Sequence, residues 1–197
     1  PWEAAAVRYA VFDVLGDAYL DSPKNVTRVT ATDVASIDVE FYLQLEVPRA
    51  HDDVAGHAAD EVRDALGADV TYAHNPDFEQ GLSTSLRTGI SAVPVSCDGA
   101  IVALGDMPRI MPAHITRIMQ AHDPDEGHVI CVPTWNGKRG NPVFWDRRFL
   151  DDMSALSGDV GAKHLIGEHD DAVVEILMED DAVLTDVDSP AALERLA

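Results

Sequence analysis

Ile101-Val102-Ala103-Leu104-Gly105-Asp106-Met107-Pro108 is an apolar run that ends in a carboxylate and is stopped by proline. Consecutive apolar residues with β-branched members predict a strand buried on both faces, as in a parallel sheet. A carboxylate just beyond the C-terminal end of such a strand stands where open α/β sheets bind ligands. Asp106 there suits a hard divalent cation, because oxygen ligands suit Mg²⁺. The plainer reading is an Asp that caps the turn or the helix that follows.

Outward from that strand, the 197 residues fit one α/β domain, and 46% apolar content is enough for a full core. No run reaches the length of a membrane span and no signal peptide opens the sequence. The expectation is a soluble, cytoplasmic protein without a membrane partner. Cys97 and Cys131, the two cysteines, lie in or beside apolar strand-like segments and read as buried thiols rather than a disulfide or metal site. Acidic residues outnumber basic ones 35 to 14, for a formal charge of −21. That argues against nucleic acid as a partner, which needs a basic surface, but leaves room for a nucleotide held in a local site. It also suggests adaptation to salt, which screens self-repulsion.

Val7 to Leu15 reads as a first strand broken by Gly16. The loop from Gly16 to Lys24 (GDAYLDSPK) is either a phosphate cradle or an ordinary connection, and Asp17 and Asp21 favour the second. Asp33 to Val47 places Val34, Ile37, Phe41 and Leu45 on one helical face, although its β-branched and aromatic content also permits a strand. Ala58 to Leu66 predicts a helix stopped by Gly67, and Asp69 to Ala73 a short strand. In Phe78 to Ile90 (FEQGLSTSLRTGI), small hydroxyl residues open a helix carrying Arg87. Its exposed N–H groups suit an anion, and plain capping by Ser83 or Ser85 is the commoner outcome. Arg87 suits a phosphate or an ion pair.

Pro112 to Gln120 predicts a helix with Ile115, Ile118 and Met119 inward, and with His114 and His122 exposed near its ends. His128 to Pro133 predicts a buried strand. Asn136 to Pro142 (NGKRGNP) is a polar loop that either faces substrate or makes a simple β-turn with solvated charges. Val143 to Trp145 resumes order, Phe149 to Leu156 reads as helix, and Lys163 restarts one. Val173 to Met178 is a strand. Val183 to Pro190 predicts a short strand that again ends in carboxylates, Asp186 and Asp188. This alternation implies a mostly parallel sheet covered on both faces. Such a sheet could bring Asp106 and Asp188 together at one edge, where two converging carboxylates would make a divalent-metal site for phosphoryl or nucleotidyl transfer.

Six segments then resemble one family. GHAADEVRDAL, HNPDFEQGLSTSLRTGI, IVALGDMP, GKRGNPVFW, LSGDVGAKHLI and LTDVDSP follow in order from about Gly56 to the C-terminus. They are similar to the MobA-like nucleotidyltransferases, and within them to the molybdenum cofactor cytidylyltransferases. The resemblance implies a single nucleotidyltransferase-like domain over residues 1–197, with a three-layer Rossmann-like fold. It implies transfer of a nucleoside monophosphate from an NTP, CTP favoured over GTP, to the phosphate of molybdopterin cofactor. Mg²⁺ assists, pyrophosphate leaves, and a recipient molybdoenzyme is the implied partner.

By the same resemblance, Asp106 falls on the metal-binding Asp, and Asp188 on a second metal ligand with Asp186 as its competitor. Gly81, Ser85 and Arg87 fall beside the nucleotide. Asn141, Pro142, Asp159 and Gly161 fall on loops facing the acceptor. Lys24 and Arg87 would offset developing charge. The family's opening loop, LAAGxSxRMGxxK, reads VLGDAYLDSPK here, with Gly16 and Lys24 near the family's spacing and the Arg and second Gly missing. Residues 1–50 are therefore a divergent NTP-loop region. That departure keeps open a non-catalytic module that binds or chaperones the molybdenum cofactor. A sugar-phosphate nucleotidyltransferase is the other alternative, since a fold does not fix its acceptor.

Overall fold

The computed structural model describes residues 8–14, 38–45, 71–75, 77, 82–95, 97–104, 107–157 and 162–186. Among these residues the strands form one eight-stranded sheet in the order β3-β2-β1-β4-β7-β5-β6, with β8 paired to β5. The strands are β1 (Arg8–Val14), β2 (Asp38–Leu45), β3 (Thr71–His74), β4 (Gly99–Leu104), β5 (Ile130–Trp135), β6 (Lys138–Arg139), β7 (Val143–Asp146) and β8 (Val173–Leu177). The helices are α1 (Leu82–Ala92), α2 (Pro112–Gln120), α3 (Leu150–Ser154) and α4 (Lys163–Glu168). No described helix is long and apolar enough to cross a membrane.

The expected α/β architecture is present. β3, β2, β1 and β4 run parallel to one another, and β8 is parallel to β5. β7 is antiparallel to both β4 and β5, and β6 to β5. The sheet is thus mixed, parallel on one side and turned at β7. Residues 38–45 are strand, not the helix that Phe41 and Leu45 suggested. Val39, Phe41, Leu43 and Leu45 recur every second residue, and pairing on both sides favours that period over the helical one.

Alternation along the strands builds three layers. Ala100, Ile130, Val132, Val143 and Trp145 join a core with Leu86, Ile90 and Met153, beneath α1, α3 and α4. Their sequence neighbours Ile101, Cys131 and Phe144 join a second core with Ile115, Ile118 and Met119 of α2. Successive residues therefore feed opposite faces, each covered by helix, which is why these strands read as unbroken apolar runs. Cys97 and Cys131 are buried thiols, as expected.

α2 forms where its pattern predicts: Pro112 opens it, and its inward residues are the three named from spacing. Asn136 and Gly137, with φ of 50° and 75°, make the two-residue turn of the β5–β6 hairpin. Arg139 then bonds Asp170 and Glu175 at 2.7 Å each. Residues 136–139 are thus the β-turn alternative, with Arg139 bound to acids.

Candidate functional site at the carboxyl edge of the sheet

The carboxyl ends of β1, β2, β3 and β4 stand side by side, because Val14 pairs with both Gln44 and Leu104, and Leu45 with His74. This is the edge at which open α/β sheets take ligands. In sequence, Gly16 and Lys24 follow β1 and Asp106 follows β4. Gly16, Lys24, Gly81, Asp106, Asp159, Gly161 and Asp188 themselves lie outside the described residues, as does the expected helix at residues 58–66. Ser85, Arg87, Asn141, Pro142 and Asp186 are described.

Asn141 and Pro142 sit at this edge. Val143 pairs with Val102 of β4, and β7 runs antiparallel, so the two residues before it stand level with the end of β4. Pro142 is buried and Asn141 half-buried. The backbone N–H of Gly140 donates to Pro133 O at 2.8 Å, and that of Asn141 to Val183 O at 2.9 Å. Gly140 has no room for a side chain, because a β-carbon would meet the Val183 carbonyl. The Asn141 segment thus touches both β4, which leads to Asp106, and the turn that leads to Asp186 and Asp188.

That turn corrects the expected strand at Val183–Pro190: residues Ala182–Leu184 are a 3₁₀ turn. Local bonds favour it. Asp180 Oδ1 accepts from the Ala182 N–H at 2.9 Å, and the Asp181 carbonyl accepts from Leu184 N and Thr185 Oγ1, each at 2.9 Å. Asp186 follows, exposed.

At the next strand end, Asn75 is 1% exposed. Its Nδ2 donates to Thr84 Oγ1 at 2.9 Å and Ser85 Oγ at 3.1 Å. Its Oδ1 accepts from the Asp77 N–H at 3.0 Å, and Thr84 Oγ1 donates to Asp77 O at 3.1 Å. Asn75 thereby ties the end of β3 to the first turn of α1. Sequence reading passed over it as a loop residue before Pro76; the available signal was an Asn nine or ten residues ahead of a hydroxyl cluster. Ser85 is buried within this network. Arg87 lies on the exposed side of α1 and donates to the carbonyls of Ser154 at 3.2 Å and Leu156 at 3.1 Å. In this geometry Ser85 and Arg87 brace the segment beside the expected nucleotide position. These bonds tie Arg87 to the end of α3.

The two histidines expected to be exposed are not. The side chain of His122 is 5% exposed, with Nε2 2.8 Å from Asp146 Oδ2, and its ring lies tilted at 52° against Phe144, the centroids 4.6 Å apart. That of His114 is 12% exposed, and its Nδ1 accepts from Met111 N–H at 3.0 Å. Asp146 also accepts from Arg148 through its N–H at 3.0 Å and Nε at 3.1 Å. Burial pushes the Asp146 carboxyl up, but the bonds from the Arg148 N–H and the His122 and Arg148 side chains outweigh it, so its pKa is lowered. Asp146 pairs with Gly99 at the amino end of β4, so this cluster stands at the opposite edge from Asn141. Among the described residues no group of three or more His, Cys, Asp or Glu is placed to hold a metal ion.

The MobA-like NTP transferase domain matches residues 48–173. The chain is 26% identical over 143 residues to the molybdenum cofactor cytidylyltransferase of Escherichia coli, spanning 70% of this chain and 68% of that one. A crystal structure of a Mycobacterium tuberculosis protein superposes with a TM-score of 0.72 at 23% identity, covering 98% of both chains. A complex of that protein with manganese gives 0.69 at 22% identity, covering 96% of this chain and 97% of that one. With more than half its length matched, the chain belongs to the MobA-like NTP transferase domain family, and it is a nucleotidyltransferase.

Proposed function

We propose that this nucleotidyltransferase moves CMP, or GMP, from the corresponding NTP to the phosphate of molybdenum cofactor, with Mg²⁺ and release of pyrophosphate. One observation carries the reading. The Asn141 segment pairs with β4 through Val143 and Val102 and bonds the turn at Val183. The stretches leading to Asp106 and to Asp186 and Asp188 are thereby fastened to the same few residues. Two carboxylates brought together from such stretches offer the hard oxygen donors that Mg²⁺ takes.

In this proposal Asp106 and Asp188 hold the cation, with Asp186 the competitor for the second place. When bound, the cation neutralises charge on the triphosphate. A cofactor phosphate oxygen attacks the α-phosphorus in line. The new P–O bond forms as the bond to the β-phosphate oxygen breaks, and pyrophosphate departs. Lys24 pairs with the leaving phosphates, and Gly16 and Gly81 let the backbone approach the nucleotide. Ser85 and Arg87 position the nucleotide side through Asn75 and α3. Asn141, Pro142, Asp159 and Gly161 face the acceptor, and the delivered product goes to a recipient molybdoenzyme. One domain, residues 1–197, performs the whole reaction.

The opening loop VLGDAYLDSPK favours a second reading, a module that binds the cofactor without turning over NTP. Turnover of each of four α-labelled nucleotides with purified molybdenum cofactor separates the two. Labelled cofactor from CTP or GTP, lost in Asp106→Ala, supports transfer. Retained turnover in that variant removes the metal role. Cofactor binding with no NTP binding by calorimetry selects the module.

A further inference from the structure

The sequence holds four asparagines, at positions 25, 75, 136 and 141. Asn75 and Asn141 precede Pro76 and Pro142, whose ring nitrogens carry no proton. Asn25 precedes Val26, whose branched side chain crowds the amide beside it. Asn136 precedes Gly137, and an amide with no β-carbon next to it is open to approach. Of the four, Asn136 is the one whose side chain the following backbone nitrogen can readily attack.

The structure places this pair at the tip of the β5–β6 hairpin, both residues exposed and both in the left-handed region, at φ of 50° and 75°. The space around Gly137 is open: beyond its chain neighbours, an added β-carbon would meet no atom within 4 Å. Among the described residues, neither the Asn136 side chain nor the Gly137 N–H has a hydrogen-bond partner. The tip is closed by the pairing of Trp135 with Lys138 and of Thr134 with Arg139. Arg139 then clamps the returning strand to β8 and the turn before it. Its Nε lies 2.7 Å from Glu175 Oε1, and its Nη2 2.7 Å from Asp170 Oδ1. The reactive pair thus sits on an open turn whose base Arg139 holds.

We propose that Asn136 is a site of spontaneous deamidation to isoaspartate, at a rate set by how firmly Arg139 holds the hairpin closed. The Gly137 nitrogen loses its proton to base and attacks the Asn136 side-chain carbonyl carbon. The new C–N bond closes a five-membered succinimide as the bond to Nδ2 breaks, and Nδ2 leaves as ammonia with a proton from water. Water then adds to either ring carbonyl. Opening at the side-chain carbon gives aspartate. Opening at the main-chain carbon gives isoaspartate, whose backbone runs through the former side chain. One water is consumed and one ammonia released, with no oxidant or reductant. Attack needs Asn136 ψ to rotate out of the turn, so the tip must open first. Isoaspartate adds a methylene to a two-residue turn, which then cannot hold Lys138 and Arg139 in register.

Peptide mass spectrometry of the folded protein, aged in warm and mildly alkaline buffer, tests this. Methylation by a purified isoaspartate methyltransferase with a labelled methyl donor is the probe for isoaspartate. The peptide carrying Asn136 is expected to gain the small mass that replaces an amide by a carboxyl, faster as pH rises. Those carrying Asn25, Asn75 and Asn141 are expected to keep their mass. Arg139→Ala is expected to speed the change about two- to fivefold, the range of one exposed pair converted to an opening equilibrium. Asp170→Asn with Glu175→Gln removes the same clamp from its other side and is expected to match it. Arg117→Ala breaks an exposed pair with Glu179 outside the hairpin and is expected to leave the rate unchanged. Asn136→Gly suits the same turn and is expected to abolish both signals. An amide retained at Asn136 in the folded protein, under conditions that convert the urea-unfolded chain, overturns the site. Equal rates in Arg139→Ala and the wild type overturn the clamp, as does equal acceleration in Arg117→Ala.

Discussion

Gly140 and Val183 meet backbone to backbone, with no space for a β-carbon on residue 140 before the Val183 carbonyl. The neighbouring Asn141 N–H bonds the same carbonyl. Gly140→Ala must therefore push the 3₁₀ turn away from the edge of the sheet. Urea denaturation is expected to show a loss of about 1–3 kcal/mol, the usual range for overpacking. Transferase activity is expected to fall further than stability, since the displaced turn leads to Asp186 and Asp188.

Asn75→Ala removes a buried amide that serves Thr84, Ser85 and Asp77. Removing the central amide of a buried hydrogen-bonded network costs about 1–3 kcal/mol. Thermal unfolding is expected to show a clear loss, and KM for the nucleotide to rise more than kcat falls. Ser85→Ala, which removes one outer member, is expected to cost less than Asn75→Ala. The reverse order would place Ser85 on the substrate.

The Asp146 carboxyl has a lowered pKa, so it contributes stability above its ordinary value of about 3.9 and loses it as pH falls through the folded value. Stability of the wild type is expected to fall with pH in that acid range. Asp146→Asn is expected to flatten part of this fall. At neutral pH it should be less stable by about 1–3 kcal/mol, because His122 and Arg148 lose a charged acceptor. Parallel pH profiles for the two proteins would exclude this contribution.

Cys131 is buried, and burial first, then the negative charge of Asp146, push its thiol up to about 12. Cys97 is 2% exposed. Ellman's reagent at mildly alkaline pH is expected to leave both thiols unmodified in the native protein and to titrate both in denaturant. Rapid reaction of either in the native protein would contradict the packing of β4 and β5.

A formal charge of −21 predicts self-repulsion that salt relieves, as the screening length shrinks from about 10 Å at 0.1 M to about 3 Å at 1 M. The midpoint of thermal unfolding is expected to rise over that range in KCl. A flat or falling midpoint would mean that local pairs such as Arg139 with Asp170 and Glu175 outweigh the general repulsion.

The sequence by itself determined what depends on neighbours along the chain. Ile101 to Leu104 had to be a two-faced buried strand, and Pro112 to Gln120 a helix with Ile115, Ile118 and Met119 inward, because local period decides these. Six motifs in order were enough to mark the family. The tertiary structure decided what depends on partners distant in sequence. Residues 38–45 became strand because β1 and β3 pair with them. His122 was buried because Asp146, twenty-four residues away, arrives to meet it. Asn141 reached the carboxyl edge because β7 turns back against β4, and Arg109 met Asp181 across seventy-two residues. No local pattern records such meetings, since their free energy comes from surfaces that come together only when the whole sheet is built.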